Sequence, residues 1–300
     1  MSTLELKKAA QGVAKKIVVK IGSEALIDRA SGLPDPGVMN PLAEEIATLK
    51  RDGHDVWLVT SGATRSGEAV YGAEYKKGEH GRPQRYTKSI LAAMGNPVLA
   101  ASYAEAFKPY GLVPALFLLT KEDITGRARR DLRGMFRGMH RDFPRGVAVI
   151  NANDSTTNDE MRRLSQMADN DDLARRIAGL VRAHHLVILT KNNLCDKDPN
   201  HHVDAEPVRV IDWRNPPRLD LDGKSGAGTG GMASKVGVML ELAAQGICGH
   251  IACSREEGVI RRALNGETGT SFPAYPQPAS WMMRRFLTAA RMWAVGATTG

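Results

Sequence analysis

The strongest constraint on the fold of this 300-residue chain is a regular alternation of short apolar runs with longer amphipathic segments. The short runs are rich in β-branched residues and have the length of buried strands. Strands that alternate with helices predict an α/β fold, in which helices cover both faces of a mostly parallel sheet. The predicted strands are "KKIVVKI" (15–21), "DVWLVT" (55–60), "LVPALFLL" (112–119), "GVAVIN" (146–151), "HLVILT" (185–190) and "ICGHIAC" (247–253).

The segments between these strands carry apolar residues at helical spacing. One such stripe predicts a helix over 38–52, which ends before Gly53, a residue typical of helix C-termini. Similar stripes predict helices over 172–183 and 234–246.

Charge and cysteine content restrict the partners and the compartment. The formal charge of +8 favours anionic partners, and an odd number of cysteines without CxxC spacing is typical of a reduced cytoplasmic protein. No apolar run reaches the roughly 18 residues of a membrane helix, and the N-terminus has no apolar signal region. We therefore expect a cytoplasmic protein without a membrane partner. The cysteines are Cys195, Cys248 and Cys253.

Glycine, amide and small residues follow the predicted strands, where parallel α/β sheets bind their ligands. Lys20 ends the first strand, where it offers a point charge, and Gly22 would let a phosphate approach the backbone. The alternative is a solvated lysine at the sheet edge. The clusters are "KIGSEAL", "TSGA" (60–63), "NANDS" (151–155) and "TKNN" (190–193).

Two kinds of cluster suggest that the ligand includes an amino acid. The "SGA" at 61–63 could form an anion-binding nest of backbone N–H groups, or only a strand-to-helix turn. The amides and carboxylates of "NAND" (151–154) and "DND" (169–171) could hold an ammonium and a carboxylate together. Helix capping by Asp169 or Asp171 is a compatible alternative.

The stretch "GAGTGGMASK" at 226–235 has the glycines and the lysine of a phosphate-binding loop. It does not fit the P-loop pattern, because three residues separate Gly231 from Lys235. It precedes a helix, whose N-terminal N–H groups can bind phosphate. A flexible hinge is the alternative, but a hinge does not need the lysine.

The motifs, taken in chain order, resemble those of the glutamate 5-kinases, which belong to the amino acid kinase superfamily. The resemblance extends from about residue 16 to 272. It implies a three-layer αβα sandwich and transfer of the γ-phosphate of ATP, with Mg²⁺, to a carboxylate, as in the first step of proline-type biosynthesis. The motifs are "VVKIGS", "VTSGA", "AAMGNPVL", "LLTKED", "VINAND", "ADNDDL", "ILT", "DP", "GTGGMASK" and "GTSF".

The same resemblance implies roles for individual residues. Lys20 and Lys235 would neutralise the transferring phosphoryl group, and Asp171 would organise them. Mg²⁺ would be held through the ATP phosphates rather than by protein ligands, and the paired histidines lack metal-ligand spacing. The expected acid-binding residues are Ser61, Gly62, Ala63, Asn151, Asp154 and Asn170. The expected nucleotide-binding residues are Lys20, Gly22, Thr190, Lys191, Thr229, Gly230, Gly231, Met232, Ala233, Ser234 and Lys235.

Four positions depart from the family pattern. Ala152 replaces a glutamate, and the segment 155–168, which contains Arg162 and Arg163, is longer than usual. Lys191 replaces an aspartate, in "TKNNLCD", where a glycine is also missing. Leu132 replaces an asparagine in the arginine-rich segment.

The resemblance divides the chain into an amino acid kinase domain over 1–272 and a tail over 273–300 that resembles the start of a linker to a PUA domain. Within the domain, about 16–195 would form the acid-substrate lobe and about 196–272 the nucleotide lobe. A homo-oligomer and an acyl-phosphate reductase partner are also expected.

Two alternative functions stay open. The chain could be a kinase for a different carboxylic acid, or a non-catalytic binding protein that uses its arginines on nucleic acid. The retention of Lys20, Asp171 and Lys235 favours catalysis. The basic run 127–145 does not favour nucleic acid, because such runs are usually solvated and this one lacks interleaved aromatic residues.

Overall fold

The computed structural model describes residues 15–72, 87–155, 170–199, 201–212, 217, 219 and 231–275. Their strands form one seven-stranded sheet in the order β3-β4-β2-β1-β5-β6-β7. All pairings are parallel except that of β6 with β7. The six predicted strands are confirmed. The bounds are β1 Lys16–Ile21, β2 Asp55–Val59, β3 Val113–Leu119, β4 Gly146–Ala152, β5 His185–Thr190, β6 Cys248–Cys253 and β7 Thr270–Phe272.

The helices lie between the strands, as the alternation predicts. The three helices predicted by bounds are confirmed, and each begins two residues earlier than its stripe suggests. Within the described residues, no helix has both the length and the apolar composition needed to span a membrane. The bounds are α1 Ser23–Leu26, α2 Pro36–Arg51, α3 Ala63–Tyr71, α4 Thr87–Phe107, α5 Lys121–Ile124, α6 Ala128–Asp142, α7 Asn170–Val181, α8 Met232–Ala243 and α9 Val259–Leu264, with a 3₁₀ turn at Lys108–Tyr110.

The central strand β1 is buried on both faces. Val18 packs into one apolar cluster with residues of α6, α7 and α8. Ile17 and Val19 point the other way, into a second cluster with residues of α2, α4 and α9. Because side chains alternate along a strand, this is the expected result for the middle layer of a three-layer αβα sandwich. The predicted sandwich is therefore confirmed.

The two edges of the sheet differ from the sequence prediction. We predicted 112–119 as a buried strand, but β3 is an edge strand whose residues are mostly half-exposed, and Val113 is 54% exposed. An edge strand has only one neighbour to cover it. At the other edge, β7 was missed because three residues are too few to show a period.

Two glycines bring α3 and α4 into backbone contact beside the carboxyl ends of the strands. A Cβ added at Gly67 would lie 1.9 Å from the carbonyl oxygen of Leu91, and one added at Gly95 would lie 1.8 Å from that of Ala63. Any side chain at these positions would force the helices apart. This contact therefore fixes the start of α3 and the middle of α4, which both reach the site described below.

We predict that Gly95→Ala lowers the free energy of unfolding by about 3 kcal/mol or more, because the added methyl group meets backbone that cannot move locally. Gly134→Ala is the matched control. Gly134 is exposed within α6, and an added Cβ would meet nothing within 4 Å. This control should stabilise the protein by about 0.5–1 kcal/mol, since alanine favours a helix. Urea denaturation of both variants measures the difference, and equal stability would contradict the proposed contact.

Candidate active site

The strand order brings the predicted functional clusters together. The neighbouring strands β4, β2, β1 and β5 are parallel, so their carboxyl ends lie at one edge of the sheet. The clusters after these four strands are those predicted to bind ligands. A short loop after β2 also places the first turn of α3 there, and the contact of Lys20 with Asp171 brings the first turn of α7 to the end of β1.

Three charged side chains form a buried cluster at this edge, which we call the Lys–Asp–Lys triad: Lys20, Asp171 and Lys235. Lys20 Nζ lies 2.5 Å from Asp171 Oδ1, and Lys235 Nζ lies 3.2 Å from Asp171 Oδ2. Their side chains are 5%, 1% and 15% exposed respectively. Residues that are 64 positions apart in the sequence, at the start of α7 and of α8, thus meet at the end of β1.

The sequence left other interpretations open for Lys20 and Asp171, and the structure contradicts both. Lys20 is not a solvated lysine at the sheet edge, because β1 lies in the middle of the sheet and Lys20 is 4% exposed. Asp171 is not the N-cap of α7, because it lies within the first turn of the helix, and its carboxylate contacts the two lysines. The other capping candidate, Asp169, lies outside the described residues.

The electrostatics of the triad favour an anionic ligand. Burial acts to raise the pKa of Asp171, but the charges of Lys20 and Lys235 outweigh it and hold that pKa below its ordinary value. The carboxyl group is therefore ionised at neutral pH. One carboxylate between two ammonium groups leaves an excess of positive charge in a largely desolvated place, where a phosphate would be strongly stabilised.

Gly22 leaves room beside the ammonium group of Lys20. A Cβ at this position would lie 3.3 Å from Lys20 Nζ, close enough to force the lysine or the backbone to shift. The predicted role of Gly22, close approach of a ligand to the strand end, is compatible with this space.

The predicted acid-binding residues after β2 lie beside the triad strand. Ser61 is buried, and its hydroxyl donates to the carbonyl oxygen of Ile21 at 3.4 Å. Gly62 adopts a left-handed conformation with φ of 109°, and this turn begins α3 at Ala63. The turn thus requires glycine, and it follows the carboxyl end of β2.

Asn96 is a residue of this region to which we assigned no role from the sequence. It lies next to Gly95 in α4, is 5% exposed, and accepts a hydrogen bond of 3.2 Å from Asn151 Nδ2. Asn151 Oδ1 in turn accepts from the N–H of Ala152 at 2.9 Å. Asn96 therefore sets the orientation of the Asn151 amide. Its motif, "AAMGNPVL", was visible in the sequence, but nothing in that motif shows that α4 meets β4.

The remaining acid-binding candidates follow β4 and begin α7. Asp154 lies in a turn closed by its own N–H, which donates to the carbonyl oxygen of Ala152 at 2.9 Å. Asn170 is the first residue of α7, and its side-chain Oδ1 is buried without a hydrogen-bond partner among the described residues. A buried carbonyl oxygen of this kind is ready to accept an N–H from a ligand. Arg162 and Arg163 lie outside the described residues.

The loop after β5 is held by a side chain that the sequence did not single out. Asn193 Oδ1 accepts from the N–H of Cys253 at 2.8 Å, and Asn193 Nδ2 donates to Glu256 Oε1 at 2.7 Å. Thr190 is buried, with its hydroxyl 2.6 Å from the carbonyl oxygen of Asn192, while Lys191 is exposed. Asn193 thus braces the loop against β6 where the family pattern has lost its glycine.

The glycine-rich loop is described only from its end. Gly231 caps α8 with extended backbone, and Met232, Ala233 and Ser234 form the first turn, one residue before Lys235. Thr229 and Gly230 lie outside the described residues. The first turn of α8 therefore carries Lys235 into the triad, so that a helix N-terminus lies near it, as a phosphate-binding role requires.

Comparison with known proteins decides the family. The sequence profile of the amino acid kinase family matches residues 15–253. The chain belongs to the amino acid kinase family. Curated relatives include the glutamate 5-kinase of Nitrosomonas eutropha, 37% identical over 268 residues that cover 87% of this chain and 68% of that protein. The glutamate 5-kinase of Symbiobacterium thermophilum is 36% identical, with 86% of this chain and 95% of that protein covered.

Solved structures support the amino acid kinase fold alone, because their sequence identities are low. UMP kinase from Bacillus anthracis superposes with a TM-score of 0.56 at 14% identity, covering 87% of this chain and 97% of that chain. Carbamate kinase from Giardia lamblia bound to AMP-PNP superposes with a TM-score of 0.59 at 17% identity, covering 88% of this chain and 99% of that chain.

Two of the described histidines contact each other between the neighbouring strands β5 and β6. His185 Nδ1 and His250 Nε2 lie 3.1 Å apart, and burial lowers their pKa values to about 3 and about 4. Among the described residues, no group of three or more His, Cys, Asp or Glu side chains is placed to hold a metal ion.

The brace at Asn193 gives a local prediction. Asn193→Ala removes the acceptor of the Cys253 N–H, so amide hydrogen exchange at Cys253 should become roughly 2- to 10-fold faster, the factor expected for one hydrogen bond. Asn192→Ala is the control, since only the backbone carbonyl of Asn192 takes part. Unchanged exchange in Asn193→Ala would show that the loop holds without this side chain.

Proposed function

We propose that this protein catalyses the ATP-dependent phosphorylation of the side-chain carboxylate of glutamate, or of a glutamate-like acid, to an acyl phosphate. The observation that carries the proposal is the buried Lys–Asp–Lys triad at the carboxyl ends of the strands. Its surplus positive charge suits a phosphoryl group in transfer. The curated relatives that carry the name glutamate 5-kinase support the same activity.

The residues present fit the phosphates of ATP. A side chain at Gly22 would crowd the ammonium group of Lys20, and the glycine keeps this space open. ATP supplies the phosphoryl group when bound. Lys20, Lys235 and the first turn of α8 would hold its phosphates, and the braced loop at Thr190 and Lys191 would contact the rest of the nucleotide. In this proposal, Mg²⁺ would be bound through the phosphates of ATP.

The acid-binding side offers groups for both ends of an amino acid. The carboxylate of Asp154 and the unpartnered Oδ1 of Asn170 are acceptors that suit an ammonium group. The turn at Ser61 and Gly62 and the amide of Asn151 suit a carboxylate. This division supports an α-amino acid as the substrate, with its side-chain carboxylate directed to the triad.

The residues of this site position the substrates and neutralise the charge of the transferring phosphoryl group. None of them has to act as a general base. A carboxylate is already a nucleophile at neutral pH, so no proton has to be removed before attack. Lys20 and Lys235 stabilise the charge that builds on the transferring group. Asp171, held ionised by both lysines, directs their ammonium groups to one place.

Several wider features form part of the same proposal. Residues from about 16 to 195 would provide the acid half of the site, and those from about 196 to 272 the nucleotide half, within a domain that extends over 1–272. We also propose a cytoplasmic homo-oligomer that passes its labile product to an acyl-phosphate reductase. A kinase for another carboxylic acid is the second candidate, because Ala152 and Lys191 depart from the family pattern.

The experiment is hydroxylamine trapping of the acyl phosphate formed from ATP and glutamate, aspartate or N-acetylglutamate. We expect the hydroxamate from glutamate, and a kcat/KM for N-acetylglutamate lower by as much as ~10⁴, since its blocked amine offers no ammonium group to Asp154 and Asn170. Lys20→Ala and Lys235→Ala should each lower kcat by roughly 10² or more, as loss of one transition-state contact does.

Lys191→Ala serves as the matched lysine control, because Lys191 is exposed at the same edge of the sheet but outside the triad. It should change the KM for ATP more than kcat. If N-acetylglutamate reacts faster than glutamate, another acid is the substrate. If no acid yields a hydroxamate, or if the triad variants match the wild type, the proposed activity is wrong.

A further inference from the structure

A second basic site lies at the opposite end of β1 from the triad. A cavity of about 360 Å³ opens between the starts of β1 and β2, the helix α6 and the end of α7. Lys16 lines it at the first position of β1, four residues before Lys20, so roughly 13 Å separates the two along the strand. The cavity is therefore separate from the candidate active site. Its lining side chains include Lys16, Asp55, Trp57, Arg133, Arg137 and His140.

Cations outnumber the single carboxylate in this lining. Asp55 already faces His140, with 3.4 Å between Oδ1 and Nδ1. The lining has four cations, of which Arg141 pairs with Asp142. Lys16, Arg133 and Arg137 supply the other three positive charges, and among the described residues no carboxylate forms an ion pair with Arg133 or Arg137.

The arginines of α6 also repel one another. Desolvation lowers the pKa of Arg133 below its ordinary value, and the charges of Arg137, Arg182 and Arg129 act in the same direction. A bound anion would relieve this repulsion.

Two ring nitrogens in the wall of the cavity are buried and lack a hydrogen-bond partner among the residues that the structure describes. Trp57 is 3% exposed, and its indole Nε1–H has no hydrogen-bond partner. The side chain of His140 is 8% exposed, and its Nε2 is likewise unpartnered. The two rings pack edge to face, with centroids 4.3 Å apart, in the wall of the cavity. Native proteins seldom leave such groups unpaired unless a ligand or water completes them.

We infer that this cavity binds a small molecule bearing an oligophosphate group. Guanidinium forks match phosphate oxygens in pairs, and two arginines and a lysine line this one cavity. The volume lies within the range of small-molecule pockets. A nucleic acid would instead contact the exposed face of α6, which includes arginines outside the cavity, and this difference can be tested.

The test measures the Kd of inorganic pyrophosphate by titration calorimetry in a Lys235→Met background, which weakens binding at the active site. Arg133→Gln/Arg137→Gln should raise the Kd by at least ~10-fold, the effect of losing charged hydrogen bonds. The control Arg127→Gln/Arg130→Gln removes the same charge from exposed positions of the same segment, outside the cavity lining. It should change the Kd by less than about 2-fold, as screened surface charges do.

Citrate, which carries carboxylates instead of phosphates, should bind more weakly than pyrophosphate. When Arg133→Gln/Arg137→Gln is made in the otherwise wild-type protein, the variant should keep the wild-type thermal midpoint and rate of phosphoryl transfer, which would show that it folds. The inference is overturned if Arg133→Gln/Arg137→Gln leaves the Kd of pyrophosphate unchanged in the Lys235→Met protein, or if Arg127→Gln/Arg130→Gln raises that Kd by as much. It is also overturned if citrate binds more tightly than pyrophosphate, or if the Lys235→Met protein does not bind pyrophosphate.

Discussion

The ion contacts of Asp171 with Lys20 and Lys235 are the interaction on which the rest of the site depends. A carboxylate that is 1% exposed cannot stay ionised without compensation, and two lysines compensate it. The same contacts fix the ends of β1, α7 and α8 relative to one another. The fold thus concentrates positive charge at one edge of the sheet, and the proposed chemistry follows from that charge.

Much of this arrangement could be predicted from the sequence because its signals are local. Six strands were visible as apolar runs, since a strand buried on both faces shows little polar interruption. The position of Lys20 and the "TSGA" and "NANDS" clusters followed from the rule that ligands bind beyond the carboxyl ends of parallel strands. The roles of Asp171 and Lys235 came from the family resemblance, and their distances in the structure support those roles.

The remainder depends on long-range contacts that no local pattern carries. The exposure of β3 follows from strand order, which the alternation of elements does not fix. Asn96 reaches Asn151 only because Gly67 and Gly95 let two helices touch. Asn193 braces β6 across 60 positions of sequence, a contact that no local pattern indicates. The cavity under α6 likewise gathers residues from four elements, so its arginines looked like ordinary surface charge.

The most direct test of the central claim is the single-turnover rate of phosphoryl transfer in Asp171→Asn, an isosteric change that leaves both lysines in place. If Asp171 organises the two ammonium groups, the rate should fall by roughly 10² or more, although circular dichroism shows a folded protein. The same rate in Asp171→Asn as in the wild type would contradict the account, because the lysines would then reach the transferring group without the carboxylate.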